Sequence, residues 1–160
     1  MNTLPKTLAA KAVTTPAPAP TRRLPRILVV DDDTSLCQLG AEVLIRHGYQ
    51  VDTFEDNTAG WNALQARTYD LLITDLDMPK LSGLKLLKRL RAAHMAVPVI
   101  LASGALTPQE LNCTHWLHLS SALLKPVSAD QLLQTVQAIL PPPGQNSPQP
   151  NLQRETPDFR

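Results

Sequence analysis

A chain of 160 residues, 43% hydrophobic and 18% charged, is long enough for one domain with a real core and too short for two. No apolar stretch approaches the roughly 18 residues of a membrane span, and the start lacks the continuous apolar run of a secretory signal. Cys37 and Cys113 have nothing like metal-ligand spacing, so the expectation is a cytoplasmic protein with two incidental buried thiols. The net charge of +1 conceals an asymmetry. Lys6, Lys11, Arg22, Arg23 and Arg26 precede Ile27 without a single acid, and the last twenty residues are balanced. A formal −4 therefore falls on residues 27–140, which argues against a nucleic-acid footprint there.

Proline draws the boundaries. Of fifteen prolines, five precede Ile27, six follow Leu140, and only Pro79, Pro98, Pro108 and Pro126 lie between. Residues 1–25 and 141–160 read as extended, disordered tails around one domain at 26–140. Within it, strand and helix signals alternate. Arg26–Val30 is a strand, and Leu36, Leu39, Val43 and Leu44 then recur at helical spacing up to a C-cap at His47-Gly48. Gln50–Phe54 alternates like an edge strand, and a helix over about 58–67 carries Trp61 and Leu64 on one face. Tyr69–Thr74 is a strand. Leu84, Leu87 and Leu90 stripe the next helix, whose other face carries Lys85, Lys88, Arg89 and Arg91 and reads as solvated. Val97–Ala102 is a strand, and Thr107-Pro108-Gln109-Glu110 opens a short helix with a capping residue and Pro at the first position. Ala122–Leu124 is a short strand. The last helix starts at Ser128 and buries Leu132, Leu133, Val136 and Ile139. Continuous apolar runs interleaved with helices make a doubly wound parallel α/β domain of five strands.

In such a sheet, ligands bind beyond the carboxyl ends of the strands. Ile27–Val30 runs into Asp31-Asp32-Asp33, and Leu71–Thr74 into Asp75-Leu76-Asp77-Met78-Pro79. Val97–Ala102 runs into Ser103-Gly104, and Leu123-Leu124 into Lys125-Pro126. Asp31, Asp32 and Asp75 at one edge would repel one another unless a cation sits among them. Oxygen-only ligands favour a hard ion, and several retained waters favour Mg²⁺, with the backbone carbonyl of Asp77 available to complete the protein's share. A metal-bound carboxylate can attack phosphorus to give an acyl phosphate. Lys125 then supplies a point charge and Ser103 a hydroxyl for the phosphoryl oxygens.

These motifs resemble the receiver domain of bacterial two-component response regulators. The resemblance covers Arg26 to about Leu140: the acidic pair Asp31-Asp32, the D-x-x-M-P form of Asp75-Leu76-Asp77-Met78-Pro79, then Ser103-Gly104 and Lys125-Pro126 in the family's order. It implies a flavodoxin-like (βα)5 fold with strand order 2-1-3-4-5 and a cis peptide before Pro126. Asp75 corresponds to the phosphoacceptor, and Asp31 and Asp32 to the metal-site acids. Ser103 corresponds to the switch hydroxyl, and Lys125 to the phosphate-pairing lysine. The implied partners are a sensor histidine kinase or histidine phosphotransfer protein and a downstream protein, with no nucleic acid and no membrane. The chain departs from the family where an aromatic residue usually stands three positions before the lysine; here it is Ala122. The Gly-Ala pair usual before the fifth strand is replaced by His118-Leu119-Ser120-Ser121.

Blander readings exist for each residue. Any of Asp31–Asp33 could cap the first helix, but a cap needs only one aspartate, and Asp33 is the one better read as capping or solvent-facing. Ser103 could be an ordinary loop serine and Lys125 a solvated charge; Pro126 and the preceding apolar run favour a role for the lysine. Two rival functions use the same residues. A haloacid-dehalogenase-like phosphatase would use Asp75-Leu76-Asp77 as its D-x-D, with Asp77 as general acid, but it demands a paired acid downstream of the lysine, and only Asp130, Glu155 and Asp158 follow. A receiver-like module that binds constitutively would explain Ala122, yet such relics usually lose part of the acid, hydroxyl or lysine set. The expectation is a stand-alone, non-enzymatic phosphorelay receiver.

Overall fold

A computed structural model describes residues 23–79, 81–105, 107–108, 112 and 117–143. Its strands are β1 (Arg26–Val30), β2 (Gln50–Phe54), β3 (Leu71–Asp75), β4 (Val99–Ser103) and β5 (Ser121–Leu124). Its helices are α1 (Thr34–Arg46), α2 (Asn57–Ala66), α3 (Gly83–Ala92) and α4 (Ala129–Ile139). All strands pair in parallel in the order β2-β1-β3-β4-β5, as expected for a flavodoxin-like sheet. Every residue of β3 and β4 is buried, because helices cover both faces of the central strands.

The two faces carry separate cores. One gathers Leu28, Val30, Leu72, Val99 and Leu101 beneath Trp61 and Leu64 of α2 and Leu86, Leu87 and Leu90 of α3. The other gathers Ile27, Val29, Leu71, Ile73 and Ile100 beneath Cys37 and Leu44 of α1 and Val136 of α4. Burying side chains of this size stabilises the fold by about 1.5–3 kcal/mol each before the conformational entropy is set against it.

Helix ends follow local chemistry. The Asp56 carboxylate accepts from the Thr58 and Ala59 amides at the start of α2, and the Ser82 hydroxyl accepts from Lys85 N–H at the start of α3. Ser128 and Gln131 form a capping box on α4. Gly48 closes α1 in the left-handed region, at φ 88°.

Three expectations need correction. Leu39 does not join the core stripe of α1: it is 54% exposed. At 100° per residue it lies about 200° from buried Cys37, and Cys37, Gly40 and Leu44 supply the inward stripe instead. β3 and β4 each start two residues later than the apolar pattern suggests. Pro98 has no amide to give to a ladder, and its carbonyl accepts from Leu72 N–H at 2.9 Å. Arg91 does not belong to a solvated face. Its guanidinium reaches the carbonyls of Met95, Val97, Leu117 and His118 at 2.6–3.2 Å, closing the end of α3 onto the approaches to β4 and β5. Burial holds its pKa below the ordinary value. Arg89 stacks 4.2 Å from the Trp61 ring centre.

The short helix expected after Thr107 is helical at Pro108 and at Asn112. Gln109–Leu111 and Cys113–Trp116 lie outside the described residues, as do 1–22 and 144–160 of the two expected tails. The described end of the N-terminal flank touches the domain, and the domain's own last residue is held as well. Arg23 makes a two-pronged ion pair with Asp70 at 2.8 and 3.0 Å, and Tyr49 O–H donates to the Leu140 carbonyl at 2.7 Å.

Candidate functional site

β1 and β3 are neighbours in register, Val30 opposite Thr74, so Asp31 and Asp75 leave the sheet side by side. Both use the same local device. The Asp33 amide donates to Asp31 Oδ1 at 2.9 Å, and the Asp77 amide donates to Asp75 Oδ1 at 3.0 Å. Aspartate at the start of such a turn accepts from the backbone two residues on. The bond turns the chain off the strand and leaves the second oxygen of each carboxylate free to meet a cation. Both residues are buried, Asp31 at 8% and Asp75 at 5% exposure over the whole residue.

Lys125, at the end of β5, fills that role. Its Nζ donates to Asp31 Oδ2 and to Asp75 Oδ2, each at 2.9 Å. Burial alone would lower the lysine's pKa, but hydrogen bonds and charge from Asp31 and Asp75 outweigh it and hold the pKa above the ordinary value. Lys125–Pro126 is a cis peptide. Asp32 is exposed, and it brings a carboxylate oxygen into a group with Asp31 and Asp75 whose ligand atoms all lie within 4.8 Å of one another. Three carboxylates against one ammonium leave the cluster in excess of negative charge, and an all-oxygen donor set with one solvent-facing member fits a hard, partly hydrated divalent ion.

Ser103 stands at the end of β4, fully buried. Its Oγ lies 3.0 Å from Asp77 Oδ2 and 2.7 Å from the Ala105 carbonyl, and Gly104 N–H donates to the same Asp77 oxygen at 3.2 Å. The hydroxyl therefore joins the site through Asp77. Asp33 is exposed directly before α1, where its carbonyl accepts from Cys37 N–H at 3.0 Å. Ala122 is half-buried in β5, opposite Leu101.

Two residues at the site escaped the sequence reading. Thr74, fully buried, donates its hydroxyl to Asn57 Oδ1 at 2.9 Å, and Asn57 Nδ2 donates to the Leu81 carbonyl at 2.5 Å. A threonine inside an apolar strand run and an asparagine just after the α2 cap were the only traces, and neither announces a partner. A cavity of about 70 Å³ lies beside the cluster, lined in part by Asp31, Cys37, Leu123, Lys125 and Leu132. Cys37 in its wall donates to the Asp31 carbonyl at 3.3 Å.

The chain is similar to known proteins in sequence and in fold. Residues 27–137 match the family model described as response regulator receiver domain. The chain is 35% identical over 112 residues to the transcriptional regulatory protein DltR of Streptococcus agalactiae, covering 69% of this chain and 50% of that protein. It is 34% identical over 111 residues to the sensor histidine kinase RcsC of Salmonella typhi, covering 69% of this chain and 12% of that protein. The matched stretch thus spans half or less of these relatives. Among solved structures, it is similar to the Vibrio cholerae chemotaxis protein CheY4, at TM-score 0.69 and 26% identity over 74% of this chain and 100% of that one. It is also similar to a response regulator receiver protein from Pseudomonas putida, at TM-score 0.68 and 30% identity over 72% and 98%.

Proposed function

Because this chain belongs to the response regulator receiver domain family, we propose that it works in phosphorelay signalling by accepting a phosphoryl group on Asp75. The donor is a phosphohistidine of a sensor histidine kinase or a histidine phosphotransfer protein. An Asp75 carboxylate oxygen attacks phosphorus, the phosphorus–nitrogen bond breaks, and the released imidazole takes up a proton. The observation that carries this reading is the Lys125 ammonium seated between Asp31 and Asp75, with Asp32 in the same carboxylate group.

Asp31, Asp32, Asp75 and the backbone carbonyl of Asp77 would hold Mg²⁺, which when bound neutralises charge on the phosphoryl oxygens. Lys125 stays protonated across the neutral range and moves its pairing to a phosphoryl oxygen once Asp75 is phosphorylated. Ser103 gives up its Asp77 partner to donate to another such oxygen. These are local charge changes that bias a two-state element and are read by a downstream protein. The chain is read as a cytoplasmic signalling module and not an enzyme; among the described residues no helix is long and apolar enough to cross a membrane. Against a D-x-D phosphatase stands the Asp77 carboxylate, already engaged by Ser103 and Gly104.

Incubated with acetyl phosphate and Mg²⁺, the chain is expected to gain one phosphoryl group by intact mass, and Asp75→Asn none. Equal labelling of the two proteins would overturn the assignment.

A further inference from the structure

Asn57 opens α2 at 1% exposure, yet the helix does not need it as a cap, since Asp56 already satisfies the Thr58 and Ala59 amides. Its side-chain amide spans a gap instead. The Leu81 carbonyl can only accept, so the Asn57 NH₂ must face it, which leaves the amide oxygen for the Thr74 hydroxyl. One buried side chain therefore ties the residue before Asp75 to the far end of the segment joining β3 to α3.

Among the described residues, Leu76 and Met78 anchor that segment in the core and Leu81 packs against it, while its backbone is tied at few points. Leu76 N–H donates to the Ala102 carbonyl at 2.8 Å, and Gly83 N–H reaches the Leu76 carbonyl at 3.4 Å; both lie at its base. Leu81 N–H turns back to Pro79 at 3.0 Å. Asp77 sits in the middle, its amide on Asp75 and its carboxylate on Ser103 and Gly104. Leu81 stands four residues along the chain from Asp77, so a shift there bears on the position of the Asp77 carbonyl.

We propose that Asn57 is a positioning residue for the metal site, clamping the β3–α3 segment from α2 so that the Asp77 carbonyl stands where it completes the ligand set of Asp31, Asp32 and Asp75. The inference rests on the metal reading above and extends it to a residue that touches neither metal nor phosphoryl group. Groups just outside a ligand shell commonly change metal affinity by about 10–100-fold when removed.

The test compares Asn57→Ala with Thr74→Val. Thr74→Val removes the strand-side bond and the longer 3.4 Å contact with the Asp75 carbonyl while leaving the Leu81 bond in place, and it also destabilises the fold, so it controls for lost stability. Calorimetric Mg²⁺ titration is expected to give about a tenfold higher Kd for Asn57→Ala and little change for Thr74→Val. Hydrogen exchange across residues 76–82 in metal-free protein should accelerate in Asn57→Ala alone. Should Asn57→Ala fail to fold, Asn57→Ser, too short to reach Leu81, is expected to show the same two changes. Thermal destabilisation of Asn57→Ala with Mg²⁺ affinity and exchange both unaltered would reduce the residue to ordinary packing and overturn the proposal. Absence of Mg²⁺ binding by the parent chain would refute the metal reading instead, and exchange would still report whether the clamp exists.

Discussion

Lys125 holds two carboxylates at once, and this decides the electrostatics of the pocket. Its side chain is 21% exposed, with Asp31 at 11% and Asp75 at 7%, so solvent screens these pairs far less than a surface ion pair. With a folded pKa above the ordinary 10.5, the stabilisation it brings is complete below that pH and fades as pH rises through the folded value. Cys37 shows the opposite use of burial. Desolvation, then the nearby Asp31 charge, push its thiol from 9.0 up to about 11, which keeps it protonated and unreactive beside the site. Because the folded pKa is raised, its contribution to stability persists below pH 9.0 and is lost as pH climbs through about 11. Thiolate absorbance, taken as the difference between the chain and its Cys37→Ser variant, should rise with a midpoint of about 11; a midpoint at 9.0 would contradict the burial argument. Asp31, Asp32, Asp75 and Lys125 were legible because each stands at the end of an apolar run. Arg91 was not, because its partners are backbone carbonyls that no side-chain pattern encodes, and Asn57 was not, because it joins one such carbonyl to a threonine hidden inside an apolar run.

Secondary structure was legible where one periodicity acts alone. β1 and β2 keep the bounds their pattern suggests, and Ser128 caps α4 as its residue type implies. The reading failed where the stripe is carried by small residues. Cys37 and Gly40 lack the bulk of Leu39, yet Gly40 is what lets α1 approach Leu132 of α4. Glycine spacing separates two kinds of close contact. A Cβ on Gly83 would collide with the Asp75 carbonyl, which is backbone and cannot step aside; a Cβ on Gly40 would meet only the Leu132 methyl at 3.2 Å. Gly83→Ala is therefore expected to cost about 1–3 kcal/mol in urea unfolding, and more than Gly40→Ala. The reverse order would show that α3 does not press on the β3 end as described.

At the scale of the whole molecule, the sheet separates scaffold from chemistry. Two cores hold its faces, and the carboxyl ends of β1, β3, β4 and β5 bring together residues up to 94 positions apart, as Asp31 and Lys125 are. Strand order could be expected only through family resemblance, since apolar runs reveal strands but not their neighbours; the observed order agrees with it. Reduction by borohydride tests the central claim most directly, because it converts an aspartyl phosphate to homoserine at the position that carried it. After treatment with acetyl phosphate and Mg²⁺, peptide sequencing should find homoserine at position 75 alone, and none when Mg²⁺ is chelated. Homoserine at position 31, 32 or 77 in place of 75, or at 75 regardless of the metal, would contradict the account.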